Sequence, residues 1–336
     1  MQKTHFERFK SSPFWYLFED QFKQCEMFDT NKYPISEVAL YKVFAQNSTN
    51  SSLDLSLAMH LYHAWKDGNF YELTPALCDV LTKTEYRDVD TRFIRVPERS
   101  MYLSLPKGNG LVVPCNQTGR LHNAEGIYLT FLEFEQPSTI LLGKQHREIK
   151  DVIKHISVMV VGEEIGLHND ALIYFNLCFW QGKVSDSIEK NIEMTIGFNN
   201  DILVYIRQAF NLIAKVLLYI ECSNTVLKQI AGVDINSILA KKKNKSKIRK
   251  QFKKLDRLSV LLHKQIDVTT INKHSSSSSS GVETGRKVLL ESVAPHFKMQ
   301  HFGPQNTLVK IIHVDGYERG ELAGQIKSTK KKHLIK

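Results

Sequence analysis

Two stretches constrain this chain most: "HISVMVV" at 155–161 and "ALIYFNLCF" at 171–179. Each is apolar at nearly every position, rich in β-branched or aromatic residues, and too short for a buried helix of ordinary length. Strands apolar at both parities belong inside a sheet, so both are placed centrally. Other strand-like runs precede them. "TRFIRV" and "SMYLSL" flank "PER" as a hairpin, and "GIYLTFLEF" follows. Few of the connections leave room for a crossover helix, which favours antiparallel pairing.

Helices surround these strands. Residues 14–27, 36–45, 53–66 and 75–83 carry helical periodicity, separated by "TNKYP", "NSTNSS" and "DGNF". A second set covers 187–195, 201–221 and 225–231. The run "ILVYIRQAFNLIAKVLLYI" has the apolar density of a membrane span. However, Arg207, Gln208, Asn211 and Lys215 form one polar stripe along it, as in a core helix with a wet edge. The expected class is α+β: an antiparallel sheet packed with helices, a long amphipathic basic helix, a flexible Ser-rich linker and a small β-rich C-terminal tail. The expected division is a helical layer (1–90) forming one globular unit with sheet and core helices (91–234), then basic helix (235–265), linker (266–286) and tail (287–336).

Composition narrows the function class. A hydrophobic fraction of 42% and an aromatic fraction of 10% are those of a globular protein. The five cysteines are odd in number and far apart, without zinc-knuckle or redox spacing, which predicts reduced thiols in the cytoplasm. The opening "MQKTHFERFKSS" has no apolar signal region, and the chain shows no lipidation motif and no cofactor fingerprint. Neither a membrane partner nor a cofactor is expected.

The net charge is +10, and it is concentrated. Between Lys241 and Lys264 stand eleven Lys/Arg and one acid, Asp256, so the remaining chain is balanced. Ile248, Phe252, Leu255, Leu258 and Leu262 advance by three or four residues, and Lys243, Lys247, Lys250, Lys254 and Arg257 do the same on another face. A helix carrying cations at this pitch suits a phosphate backbone, where each neutralised phosphate steepens the salt dependence of binding.

The tail reads "PHFKMQHFGPQNTLVKIIHV" from Pro295 to Val314. The five-residue spacing of His296 and His301 suits no helical metal pair, and on a strand it sends them to opposite faces. No metal is therefore expected. A metal-independent ribonuclease could use a hairpin of His, Lys and Arg for general acid–base work, with His296 and His301 as the candidates. The alternative is a polar hairpin ending in the strand 308–314, with Lys298, Lys310, His296, His301 and His313 facing outward to touch a partner. That reading leads, and a non-catalytic role leads with it.

Several segments together resemble one family, the second family of type V-A anti-CRISPR proteins and its phage and plasmid relatives. They are "LYHAWKDGNFYEL" (with Tyr62, Trp65 and Lys66), "RFIRVPERSMYLSL" (Pro97, Tyr102), "LHNAEGIYLTFLE" (Gly126) and "LVYIRQAFNLIAKVLLYIE". The tail closes the pattern with Pro295, His296, Lys298, His301, Gly303, Lys310 and His313. The order and spacing agree across roughly 53–316. Where the family tail has Arg and Trp positions, this chain has Lys298, Phe302 and Ile312. The resemblance implies an inhibitor carried by a mobile element in a bacterial cytoplasm. Such an inhibitor recognises the nascent N-terminal peptide of a type V-A CRISPR nuclease at the ribosome and triggers loss of its mRNA. It implies the nascent polypeptide and the ribosome or message as partners. A general nucleic-acid-binding accessory protein is the blander alternative.

Overall fold

The structure, a computed structural model, describes residues 4–12, 15–28, 44, 52–86, 88–95, 98–115, 118–132, 138–142, 145–162, 171–195, 200–222, 227–230, 263–266 and 291–319. The chain begins with helices α1 (His5–Lys10), α2 (Tyr16–Phe28) and α3 (Ser52–Asp67), then strand β1 (Phe70–Leu73) and helix α4 (Pro75–Lys83). Strands β2 (Ser100–Ser104), β3 (Val112–Pro114) and β4 (Leu121–Leu132) follow, with the separate hairpin β5 (Ser138–Leu142) and β6 (Gln145–Ile149). Next come β7 (Val152–Gly162), β8 (Leu172–Trp180), α5 (Val184–Met194) and α6 (Asn200–Glu221). The short strands β9 (Leu227–Ile230) and β10 (His263–Ile266) precede the tail: β11 (Glu291–Val293), β12 (His296–Phe302), β13 (Leu308–Val314) and β14 (Tyr317–Arg319).

The main sheet has the order β8-β7-β4-β2-β1-β10-β9, with β3 also on β4. From β2 through β8 all pairing is antiparallel, whereas β1 runs parallel to both β2 and β10. The architecture is α+β.

Strand alternation sorts the apolar residues onto two faces. Phe70, Tyr102, Tyr128 and Met159 meet Phe6, Phe9, Phe22, Leu57, Leu61 and Tyr62 of α1–α3. Tyr71, Leu103, Ile127, Val158 and Phe175 meet α4, α5 and α6, along with Phe297 and Ile311 of the tail. Helices therefore cover both faces, which is why β7 and β8 are apolar at both parities.

Several expectations change. β7 lies inside the sheet, but β8 is its terminal strand. Asn191 of α5 makes this possible. Its Oδ1 accepts from Cys178 N (2.9 Å) and its Nδ2 donates to Cys178 O (2.6 Å), while Ser187 Oγ accepts from Trp180 N (3.1 Å). A helix side chain thus supplies the hydrogen bonds of a neighbouring strand. Thr91–Phe93 is a turn of 3-10 helix capped by Asp90, not a hairpin strand. Residues 227–230 form a strand where a helix was predicted, and 263–266, at the expected end of the basic helix, pair with β1 and β9. The helix predicted at 36–45 lies outside the described residues except for Phe44. α4 supplies the crossover between the parallel strands β1 and β2.

Among the described residues, α6 is the one helix long and apolar enough to cross a membrane. Here it packs in the core, and its polar stripe is engaged. Arg207 pairs with Glu189, Asn211 Nδ2 donates to Arg207 O (2.8 Å), and Lys215 Nζ donates to Thr82 O (3.2 Å).

Candidate functional site

The tail hairpin is fastened at its base and exposed toward its turn. Glu85 N donates to Pro295 O and Phe297 N donates to Glu85 O, both at 2.9 Å, so β12 starts as a bridge onto the end of α4. Phe297 is fully buried, and its ring meets His313 edge-on at 5.3 Å; His313 in turn meets Tyr219 of α6 at 5.6 Å. Thr84 Oγ1 donates to Val80 O (2.8 Å) and so accepts from His313 Nε2 (3.1 Å). His296 Nδ1 donates to Ala294 O (3.0 Å).

This base overturns part of the outward-facing expectation. His296 and His313 are only 3% and 5% exposed, because docking against Thr84, Glu85 and Tyr219 covers them. Lys298 and His301 are exposed, and Lys310 is half-buried. His296 and His301 occupy opposite faces of β12 and do not converge. The paired histidines that a tail ribonuclease would need are not brought together.

Beyond the base, register pairs Lys298 with Ile312, Gln300 with Lys310 and Phe302 with Leu308 on the outer face. Phe302 and Leu308 are 40% and 51% exposed, and Lys310 Nζ stands 5.5 Å over the Phe302 ring. The ribbon turns at Gly303, whose φ of +78° favours glycine.

The other motif residues build the body. Tyr62 is buried against Phe22 (5.6 Å) and Phe44 (6.2 Å), with half-buried Trp65 beside it and Lys66 near the end of α3. Tyr102 packs on Tyr128 at 4.6 Å, and its ring occupies the space above Gly126, where a β-carbon would collide with it. Pro97 and the cationic series Lys243, Lys247, Lys250, Lys254 and Arg257 lie outside the described residues.

A row of buried polar groups under α1–α3 was not anticipated. His60 of α3 spans the cross-strand pair Thr130–Ser157, with Nδ1 3.0 Å from Thr130 Oγ1 and Nε2 3.1 Å from Ser157 Oγ. His155 Nε2 donates to Asn176 Oδ1 (2.7 Å), and His5 Nδ1 lies 2.9 Å from the Tyr128 hydroxyl. Arg8 of α1 pairs with Glu125, at a bulge in β4. Burial pushes His5 and His60 down to about 3 and His155 to about 4, so all three are neutral at ordinary pH. A crevice between His60, Asn69, Ser100 and Tyr128 leaves no room even for water. His60, His5 and Arg8 therefore fasten helices to sheet, and His155 ties β7 to β8. One sequence signal was present: "THFE" is a capping box, in which Thr4 Oγ1 accepts from Glu7 N (3.2 Å) and Glu7 Oε2 accepts from Thr4 N (2.8 Å).

The five cysteines are buried thiols, and burial pushes Cys178 and Cys222 up to about 12, away from nucleophilic use near neutral pH. Among the described residues no cluster of three or more His, Cys, Asp or Glu could hold a metal ion.

Comparison with known proteins adds the decisive observation. The family model described as AcrVA2-like, anti-CRISPR type V subtype A2 family, matches residues 71–315. The chain belongs to the anti-CRISPR type V subtype A2 family. The match runs from Tyr71 in β1 to Asp315, just past the tail hairpin, so the strands from β1 through β13, hairpin included, lie inside it and α1–α3 lie outside it. A crystal structure of AcrVA2 is similar at a TM-score of 0.49 and 11% identity, over 94% of this chain and 99% of that one. No curated protein matches.

Proposed function

We propose that this anti-CRISPR protein recognises the nascent N-terminal peptide of a type V-A CRISPR nuclease at the ribosome and lowers the nuclease's expression through loss of its mRNA. The observation that carries the reading is family membership across both the body and the hairpin. The charge distribution supports it. A balanced body accompanied by a +10 segment between Lys241 and Lys264 suits a protein that must stay close to a polyanionic machine while another surface reads a peptide. The protein acts in this reading as a binder without cofactor, in the bacterial cytoplasm.

The test is capture on stalled ribosomes. Ribosomes displaying the first residues of the nuclease retain the purified chain, and ribosomes displaying an unrelated nascent chain retain less. Lys243→Glu with Lys250→Glu lowers retention on both, most at low salt, and flattens the dependence of retention on salt. Equal retention on the two kinds of ribosome contradicts peptide reading.

A further inference from the structure

The outer face of the tail hairpin has a composition that the body does not need. Its six positions beyond the base are Lys298, Gln300, Phe302, Leu308, Lys310 and Ile312, without a carboxylate among them. The inner face does the structural work: Phe297, Met299, Val309 and Ile311 pack on the core cluster. The outer phenylalanine instead stands 40% exposed with a lysine ammonium 5.5 Å from its ring centre. Phe302 and Leu308 are cross-strand partners, both exposed, so the apolar surface on this face is contiguous and not a single scattered residue.

The geometry points to this face as a binding surface for single-stranded RNA, of the kind an unfolded stretch of message presents. Phe302 offers a flat platform on which an unpaired base stacks, which is tolerant of base identity because every base has a π-face. Lys310, beside that ring, and Lys298, further along the same face, receive the flanking phosphates. Gln300, directly across from Lys310 and two residues along the strand from Lys298, offers a donor and an acceptor to a base edge. The face is one short ribbon with one ring, which fits a strand whose bases are already unstacked and does not fit the continuous stack of a duplex. The sequence after Arg319 continues the same sign, with Lys327, Lys330, Lys331, Lys332 and Lys336 against the single acid Glu321. An acidic peptide would satisfy the lysines, whereas a single strand of RNA engages lysines and ring together through one repeating unit, a phosphate beside a planar base. The choice of RNA over DNA rests on the proposed action on a message.

The experiment uses the full chain and fluorescein-labelled RNA, read by anisotropy across a salt series. Oligo-uridine as a single strand binds more tightly than a perfect RNA duplex of equal length. Phe302→Ala weakens single-strand binding by roughly tenfold and Phe302→Tyr restores it, since the loss is one stacked base. Lys298→Gln with Lys310→Gln flattens the plot of log affinity against log salt by about 1.4, the contribution of two phosphates on a single strand. All these side chains are at least partly exposed, and thermal melting of each variant confirms an intact fold. Single-strand binding equal to wild type in both the Phe302→Ala and double-lysine variants, or tighter binding to duplex, overturns the inference. So does a selective loss of binding to the nuclease's N-terminal peptide with RNA binding intact. Those outcomes leave the capture of nascent-chain ribosomes as a separate result, so failure of this surface and failure of the proposed function are told apart.

Discussion

Gly126 and Tyr102 sit on neighbouring strands two residues off register and on the same face, with Tyr102 opposite Tyr128 and Ser104 opposite Gly126. The tyrosine ring crosses the glycine, and a β-carbon there would enter the ring near its hydroxyl. Both residues lie in the segments that carry the family resemblance, and the contact ties the two segments physically. Gly126→Ala is expected to destabilise the fold by about 2 kcal/mol or more, as overpacking in a dense core does. Tyr102→Phe should not relieve it, because ring carbons also lie inside contact distance. Denaturant titration of Gly126→Ala, Tyr102→Ala and the double variant checks this. The expected result is a double variant more stable than the sum of the single losses.

The buried histidines make a second prediction at this scale. His5 and His60 are held at about 3 and His155 at about 4 by burial, against about 6.5 in an unfolded chain. Between those values the unfolded state binds more protons than the folded one, so stability rises with pH. The contribution is complete above about pH 6.5 and is lost as pH falls toward 4, at up to about 1.4 kcal/mol per histidine for each pH unit. Urea midpoints measured between pH 7 and pH 4.5 should fall accordingly. A flat profile would mean that folding does not change proton binding at these histidines, and would contradict their being held neutral by burial.

At the scale of elements, the rim of the sheet depends on α5. Asn191→Ala removes both partners of the Cys178 peptide groups and leaves a buried donor and acceptor, a loss of roughly 2–4 kcal/mol. Asn191→Gln should recover little, since its longer arm displaces the amide. Equilibrium unfolding of the two variants reads both effects. This edge also shows where sequence reasoning stops. Apolar runs announced β7, β8 and α6 correctly, because a strand or helix buried on all sides writes its burial into consecutive residues. The rim position of β8 was invisible, since it depends on one amide in a helix that contacts the strand only after folding. β1, β9 and α1 are short, and four to six residues hold too little periodicity to separate strand from helix. The tail shows the same limit. Its hairpin pattern was legible, but the burial of His296 and His313 comes from Thr84 and Glu85, more than two hundred residues earlier.

At the scale of the whole molecule, the body is a sheet between two helical layers, and the hairpin closes one of them while presenting a cationic, aromatic outer face. Charge reasoning located the basic excess at once, because eleven cations in one segment need no fold to be noticed. The proposed peptide recognition has no legible counterpart in the sequence, since reading an extended chain can use any groove or edge and leaves no residue signature. The most direct measurement of the central claim compares two messages in cells that express the chain. Both begin with the same nuclease nucleotides; one is read in the nuclease's frame, and the other is shifted by one nucleotide and restored downstream. The account predicts that only the in-frame message declines. Equal decline of both, or of neither, would contradict it, because the signal would then lie in the RNA or nowhere, and not in the emerging peptide.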